Sequence, residues 1–289
     1  KNIKYLGTIL KIRLFAFGIL LGLITSLPEL SLGINATINQ ATVLSVGNLL
    51  GGIIVMLGLI LGLSLILNRK IKTDGQLITL IPTILVIFSP IFLGVDGDFN
   101  LLDGLLMIGL YAGLIFYLYR QNHNNSEKHV EINNSNKVGR SIIMTIIGIL
   151  GIIISSNWIV TTTIGLLSYV HISQLIIGLT VFSIGTTLPE ISIAITSWRK
   201  KSSELSLSNL LGSSFANILI LGILAFVRPI QFETDPAFWT VVIFLALILI
   251  LFGYFYYTGR KMDRREGAIL LTVYILFIIV NIFFSLPNT

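Results

Sequence analysis

Nine predominantly apolar runs, each about 18 residues or longer, take up most of this 289-residue chain, over 13–36, 42–67, 76–94, 101–119, 140–157, 172–198, 204–227, 237–257 and 267–286. A run of that length crosses the hydrocarbon of a bilayer as a helix. With no water to bond there, each backbone group must be satisfied within helices. The chain therefore reads as an all-α polytopic membrane protein. Composition agrees, with 54% hydrophobic and 11% charged residues against about 25% charged in a soluble domain. The longest polar stretch, 120–139, leaves no room for a water-soluble domain. Cysteine is absent, which excludes disulfides and thiolate metal sites.

If nine helices alternate across the membrane, the connecting loops fall on two sides. One side holds residues 1–13 and the loops near 68–75, 120–140, 199–204 and 258–266, and with them 18 of the 19 Lys and Arg residues. The other keeps only Arg228, beside Asp96, Asp98, Asp103, Glu233 and Asp235. By the positive-inside rule the basic side is cytoplasmic and the C-terminus lies outside. The net charge of +6 is then assigned to cytoplasmic loops, and no nucleic-acid partner is expected. The lipid bilayer and inorganic cations are the expected partners. The oligomeric state is left open, and a monomer is compatible with the sequence. The lack of a large regulatory loop points to a prokaryotic plasma membrane.

Two acidic side chains lie deep inside apolar runs, and both sit in the same five-residue box. The boxes are Thr25-Ser26-Leu27-Pro28-Glu29 and Thr186-Thr187-Leu188-Pro189-Glu190, 161 residues apart. A carboxylate in hydrocarbon is costly, which makes each Glu a functional-site candidate. The duplication extends further. Aligned without gaps, residues 25–51 and 186–212 match at 12 of 27 positions, including Asn48-Leu49-Leu50-Gly51 with Asn209-Leu210-Leu211-Gly212. Helix 13–36 is the first of the series and 172–198 the sixth, so they run in opposite directions. The expectation is two inverted-topology repeats, residues 1–119 and 140–289, joined by a cytoplasmic linker over 120–139. That architecture suits a secondary transporter with its ion site near the midplane. The first half has no counterpart of helix 140–157, so a helix before Lys1 is expected, making two repeats of five with the first helix missing from this chain.

The box chemistry suits a cation. Proline has no N–H, so Pro28 frees the carbonyl of Ile24 and Pro189 that of Gly185. Thr25, Ser26, Thr186 and Thr187 add hydroxyls in the same turn, and Glu29 and Glu190 add charge. Such a donor set fits hard cations such as calcium or sodium, not zinc or copper. The three histidines (His123, His129, His171) lie in or near loops and are read as solvated. The partner helix of the second half carries Ser206, Asn209, Ser213 and Asn217 on one face; the matching positions of the first half are Ser45, Asn48, Gly52 and Met56. Asn48 and Asn209, each nineteen residues after its Glu, are assigned to the site. Ser45 and Ser206 are left between packing and ion lining, whereas Gly58 and Gly62 are read as close-packing positions.

With two G-T-[ST]-L-P-E-like boxes, each followed by an N-x-x-G stretch, the chain resembles the cation/calcium antiporter superfamily, specifically the prokaryotic sodium/calcium exchanger type. The resemblance implies ten helices in two inverted halves and exchange of calcium for sodium by alternating access, with no cofactor and no enzymatic activity. It implies calcium ligands from the Glu29 and Glu190 carboxylates and the Thr25 and Thr186 carbonyls. It implies sodium ligands from those glutamates with Thr186, Ser183, Ser213 and Asn217. Departures from the pattern fall mainly in the first half: Ile24 replaces a glycine, and Gly52 and Met56 replace polar residues. Protons are therefore an alternative coupling ion, since two carboxylates facing one empty site cannot easily both ionise. A degenerate, non-transporting cation-binding paralogue is a second alternative. An intramembrane acid–base enzyme would need unlike environments for its two carboxylates, and these are near-duplicates.

Overall fold

The computed structural model describes residues 14–68, 70–73, 77–122, 147, 151, 154–155, 158–165, 173–199, 203–258 and 261–285. Helix α1 (Leu14–Thr25) and α2 (Leu27–Ile38) meet at Ser26 with a bend of 41°. Helix α3 (Thr42–Asn68) is α-helical except for a π-helical stretch over Val55–Ile60. Next come α4 (Leu77–Leu93) and α5 (Leu101–Asn122). The second half repeats the order. Helix α6 (Gln174–Thr186), with a π-helical stretch over Gly178–Phe182, meets α7 (Leu188–Arg199) at Thr187 with a bend of 42°. Then follow α8 (Ser203–Val227), α9 (Pro236–Thr258) and α10 (Arg264–Ser285). The sequence expectation of an all-helical chain of membrane spans holds for these elements.

Both breaks have one cause. Pro28 and Pro189 cannot donate a helix bond and disfavour helical geometry in the residue before them. Each is tolerated in the first turn of a new helix, so α2 and α7 restart there. Glu29 and Glu190 thereby fall in those first turns. The outer surface has the inverse of a soluble protein's character. Leu102, Ile250 and Phe283 are 68%, 68% and 70% exposed, which suits contact with lipid tails.

The two halves are interleaved. Helix α1 packs mainly on α8, and its counterpart α6 packs mainly on α3. Likewise α5 packs on α8, and α10 on the C-terminal part of α3. Each half thus clads the central helix of the other. Glycines set the closeness of these crossings. A Cβ on Gly62 would lie 2.9 Å from the Gly267 carbonyl oxygen, and one on Gly104 would lie 2.7 Å from that of Gly222. The close-packing role expected for Gly62 is therefore observed.

Two short strand pairs also join the halves. Strand β1 (Lys70–Lys72) pairs antiparallel with β4 (Lys261–Asp263), and β2 (Asp98–Phe99) with β3 (Ile230–Gln231). Each pair connects loops that the charge count assigned to one side. One expectation needs correction. Residues 158–165 are helical, although the sequence reading ended a helix at 157. Its polar residues are accommodated by bonding back along the helix: Ser155 Oγ donates to the Gly151 carbonyl at 2.7 Å and Thr161 Oγ1 to that of Trp158 at 3.1 Å. The span expected over 76–94 is a helix of 17 residues, Leu77–Leu93. The tail 1–13, most of 140–157, the 120–139 linker beyond Asn122 and all three histidines lie outside the described residues.

A Cβ at Gly22 of α1 would sit 2.5 Å from the Gly212 carbonyl carbon, whereas one at Gly109 of α5 would meet nothing within 4 Å. Gly22→Ala should therefore cost about 1–3 kcal/mol through overpacking, visible as a drop of several degrees in the melting temperature in detergent. Gly109→Ala should leave that temperature unchanged.

Candidate functional site

The restart of α2 and α7 brings their first turns together in the interior. Glu29 is 1% and Glu190 0% exposed, and the two carboxyls are near enough to interact electrostatically. Among the described residues they are the only buried charged side chains. Each carboxyl lies beside its own backbone N–H, at a helix N-terminus whose dipole favours negative charge. Each also faces the threonine of the other box, Thr186 beside Glu29 and Thr25 beside Glu190.

The central helices close the site. From α8, Ser213 Oγ donates to Glu190 Oε1 at 2.9 Å and lies 3.2 Å from Thr25 Oγ1 and 3.4 Å from the Gly22 carbonyl oxygen. From α3, Asn48 Oδ1 accepts from Thr186 Oγ1 at 3.1 Å. The shift of 161 that relates the boxes would pair Thr25 with Asn209, yet Thr25 pairs with Ser213, and both amide atoms of Asn209 lack a partner. One turn beyond Ser213, Asn217 Nδ2 donates to the Leu49 carbonyl at 2.9 Å, leaving Asn217 Oδ1 unpaired.

All eleven residues singled out in the sequence are buried: Thr25, Ser26, Glu29, Asn48, Ser183, Thr186, Thr187, Glu190, Asn209, Ser213 and Asn217. They differ in where they point. Ser26 Oγ donates back to Gly22 at 2.9 Å and Thr187 Oγ1 back to Ser183 at 2.8 Å, while Ser183 Oγ donates back to Leu179. Those three hydroxyl protons serve their own helices. The carbonyls of Gly22 and Leu49 were not anticipated. Gly22 accepts from Thr25 and Ser26, and Leu49 from Asn217. Only the box spacing hinted at Gly22, three residues before Thr25; Leu49 carried no signal in sequence.

The chemical consequence follows from the balance of donors and acceptors. Thr186 has one hydroxyl proton for both Asn48 Oδ1 and Glu29, and Ser213 has one for Glu190, Thr25 and Gly22. Glu29 Oε2, Glu190 Oε2, Asn209 Oδ1 and Asn217 Oδ1 are buried without any partner. Buried polar atoms are ordinarily satisfied, and here the shortage is chiefly of positive partners. Two carboxylates with neutral amide, hydroxyl and carbonyl oxygens form a donor set for a hard cation. Among the described residues, no group of three His, Cys, Asp or Glu side chains offers another metal site.

Ser213→Ala should remove the donor to Glu190 and the contact across to Thr25. A loss of about 1.5–3 kcal/mol is expected for a hydrogen bond to a charged group, read from thermal melting in detergent without added divalent cation. An unchanged melting temperature would contradict that arrangement.

Comparison with known proteins points one way. A family model described as sodium/calcium exchanger protein matches residues 1–120 and 140–283. The uncharacterised membrane protein MJ0091 of Methanocaldococcus jannaschii is 30% identical over 258 residues, covering 87% of this chain and 81% of that protein. The sodium/calcium exchanger MaX1 of Methanosarcina acetivorans is 25% identical over 303 residues, covering 89% and 85%. Among solved structures, the sodium-calcium exchanger NCX_Mj soaked with sodium and strontium superposes with a TM-score of 0.71 at 25% identity, over 96% of this chain and 90% of that one.

Proposed function

The chain belongs to the sodium/calcium exchanger protein family, and from that membership we propose that it exchanges Ca2+ for Na+ by alternating access at one site shared by Glu29 and Glu190. The family is one of membrane transporters of inorganic cations, not of enzymes. The observation that carries the reading is the surplus of buried oxygens around two carboxylates, with Glu29 Oε2 and Glu190 Oε2 both unpaired. In this reading Ca2+ takes both carboxylates with the Thr25 and Thr186 carbonyls. Na+ takes the same carboxylates with Thr186, Ser183, Ser213 and Asn217, while Ser26, Thr187, Asn48 and Asn209 line the site. With its carboxylates ionised and no cation bound, the site crosses poorly, because unpaired charge in low dielectric is costly. Exchange is thereby favoured over leak.

The same reading places the site near the membrane midplane between repeats 1–119 and 140–289. It puts the basic loops in the cytoplasm, the C-terminus outside and the protein in a prokaryotic plasma membrane. A second reading, Ca2+/H+ antiport, draws on a specific feature: Gly52 and the fully buried Met56 give the first half no polar group where the second half has Ser213 and Asn217.

The full chain in proteoliposomes separates these readings. Calcium uptake should be driven by an outward sodium gradient; uptake driven only by a pH gradient would favour the proton alternative. Calcium binding without counter-transport would identify a cation-binding paralogue. Glu29→Gln and Glu190→Gln should each lower calcium-dependent exchange by at least about 100-fold, in line with the cost of about 3 kcal/mol or more for breaking a buried charge constellation. Full transport by either variant would end the assignment of the shared site.

A further inference from the structure

Residues 161 apart hold matching places in the two halves, yet their bonds do not match. At the end of the molecule that carries the β2–β3 pair, Ser45 Oγ reaches the Gly33 carbonyl oxygen at 3.5 Å and Asn48 Oδ1 accepts from Thr186. At the β1–β4 end the counterparts are Ser206 and Asn209, both buried, with Ser206 Oγ and both amide atoms of Asn209 unpaired. The amide of Asn48 is thus oriented by a bond, whereas Asn209 Oδ1 is uncommitted. Ser31 Oγ and Asn48 Nδ2 also lack partners in the first half, but the latter is an N–H group, which repels a cation.

Ser206, Asn209 and Ser213 follow at steps of 3 and 4 on α8 and share one face. Ser213 donates to Glu190. The file therefore runs about 10 Å along the helix, from Glu190 to within a turn of the start of α8 at Ser203. Helix α7 packs against α8, and its buried face descends from Glu190 through Ala194 to Ser197.

Packing differs in the same sense. At the β2–β3 end a Cβ on Gly33 would lie 2.6 Å from Leu224 Cδ1, and Leu32, Ala36, Leu44 and Phe182 belong to one apolar cluster. The counterpart of Leu224 is Leu63, which is 40% exposed instead of inserted beside Ala194, and the counterpart of Ala36 is Ser197. Buried polar atoms are ordinarily bonded. A helix face that leaves three of them bare, in line with a carboxylate, calls for a polar occupant.

We propose that Ser206 and Asn209 form a transit subsite for the hard cation, through which it passes between the glutamate pair and the β1–β4 end, while Asn48 is a positioning residue that holds Thr186. Neutral oxygens suit transit, because they replace part of a hydration shell yet hold the ion weakly enough to release it. The inference rests on the exchange reading above and adds the route and a division of labour between two asparagines that the repeat makes look alike.

The chain has no cysteine, so single Asn209→Cys, Ser206→Cys and Ser45→Cys proteins can be probed in proteoliposomes of known orientation with a membrane-impermeant cationic thiol reagent. The first two should react from the β1–β4 side alone. Their reaction should slow about 10-fold with calcium at about ten times its dissociation constant, since ion and reagent compete for one path. Ser45→Cys should not react from that side. Reaction of Asn209→Cys from the opposite side, or from neither side in vesicles that still exchange calcium, would overturn the route; if Asn209 tolerates no substitution, the labelling side of Ser206→Cys decides. Transport kinetics separate the two asparagines. Asn209→Ala should raise the calcium KM about 5-fold on the β1–β4 side and leave it unchanged on the other, whereas Asn48→Ala should shift both sides alike through Thr186. Equal shifts on both sides for Asn209→Ala would give it a merely structural role and sink the proposal. Absence of calcium flux in the unsubstituted protein would instead overturn the exchange reading itself.

Discussion

A carboxylate moved from water into a low-dielectric interior loses several kcal/mol of hydration unless charge and hydrogen bonds replace it, and this fold holds two of them side by side. Much of the surrounding structure can be understood as a response. The helices that carry Glu29 and Glu190 are broken one turn earlier, so each carboxyl gains a helix N-terminus and its own backbone N–H. Thr186 and Thr25 of the opposite half, and Ser213 from the same half as Glu190, add partial compensation. The compensation stops short: no buried base neutralises the pair among the described residues, and several oxygens remain open. An interior left short of positive partners is poised for a mobile cation, and that shortage links the fold to transport.

Interleaving explains why one site draws on both repeats. Helix α1 crosses α8, and α6 crosses α3, so the residues nearest each box come from the other half. Thr25 meets Ser213 and Thr186 meets Asn48. A site assembled this way responds to relative movement of the halves, because a shift of α1 along α8 alters contacts at Glu190 as well as in its own box. The π-helical stretches over Val55–Ile60 and Gly178–Phe182 lie on the central helix α3 and on the helix packed against it. Such irregular turns are common at functional positions in helices.

Much of this was legible in the sequence, for identifiable reasons. The apolar helices among the described residues followed from apolar run length, and the breaks from Pro28 and Pro189, because both are local properties. Repetition of costly residues such as Glu, Pro and Asn exposed the duplication. The helical stretch 158–165 was missed because its hydroxyl-bearing residues end the apolar run, whereas in the structure Thr161 bonds back to the Trp158 carbonyl within the helix. Contacts between the halves were beyond reach. Nothing in the spacing distinguishes Asn209, whose amide is unpaired, from Asn48, whose amide accepts from Thr186. The Asn217 bond to Leu49 spans 168 residues of chain, and a pairing of that kind becomes visible only once helix crossings are known. Gly52 was read as a loss, although structurally it makes room.

The exchange of cladding between halves also sets an order of assembly. Helix α3 acquires its neighbours α6 and α10 only after more than a hundred further residues have been made, so during synthesis Asn48 must wait in lipid or against transient partners. Contacts of such long sequence separation form late and slowly. Newly inserted chains should thus pass through a stage in which these spans are in place but unlocked, and the stage ends when α10 settles along Gly62.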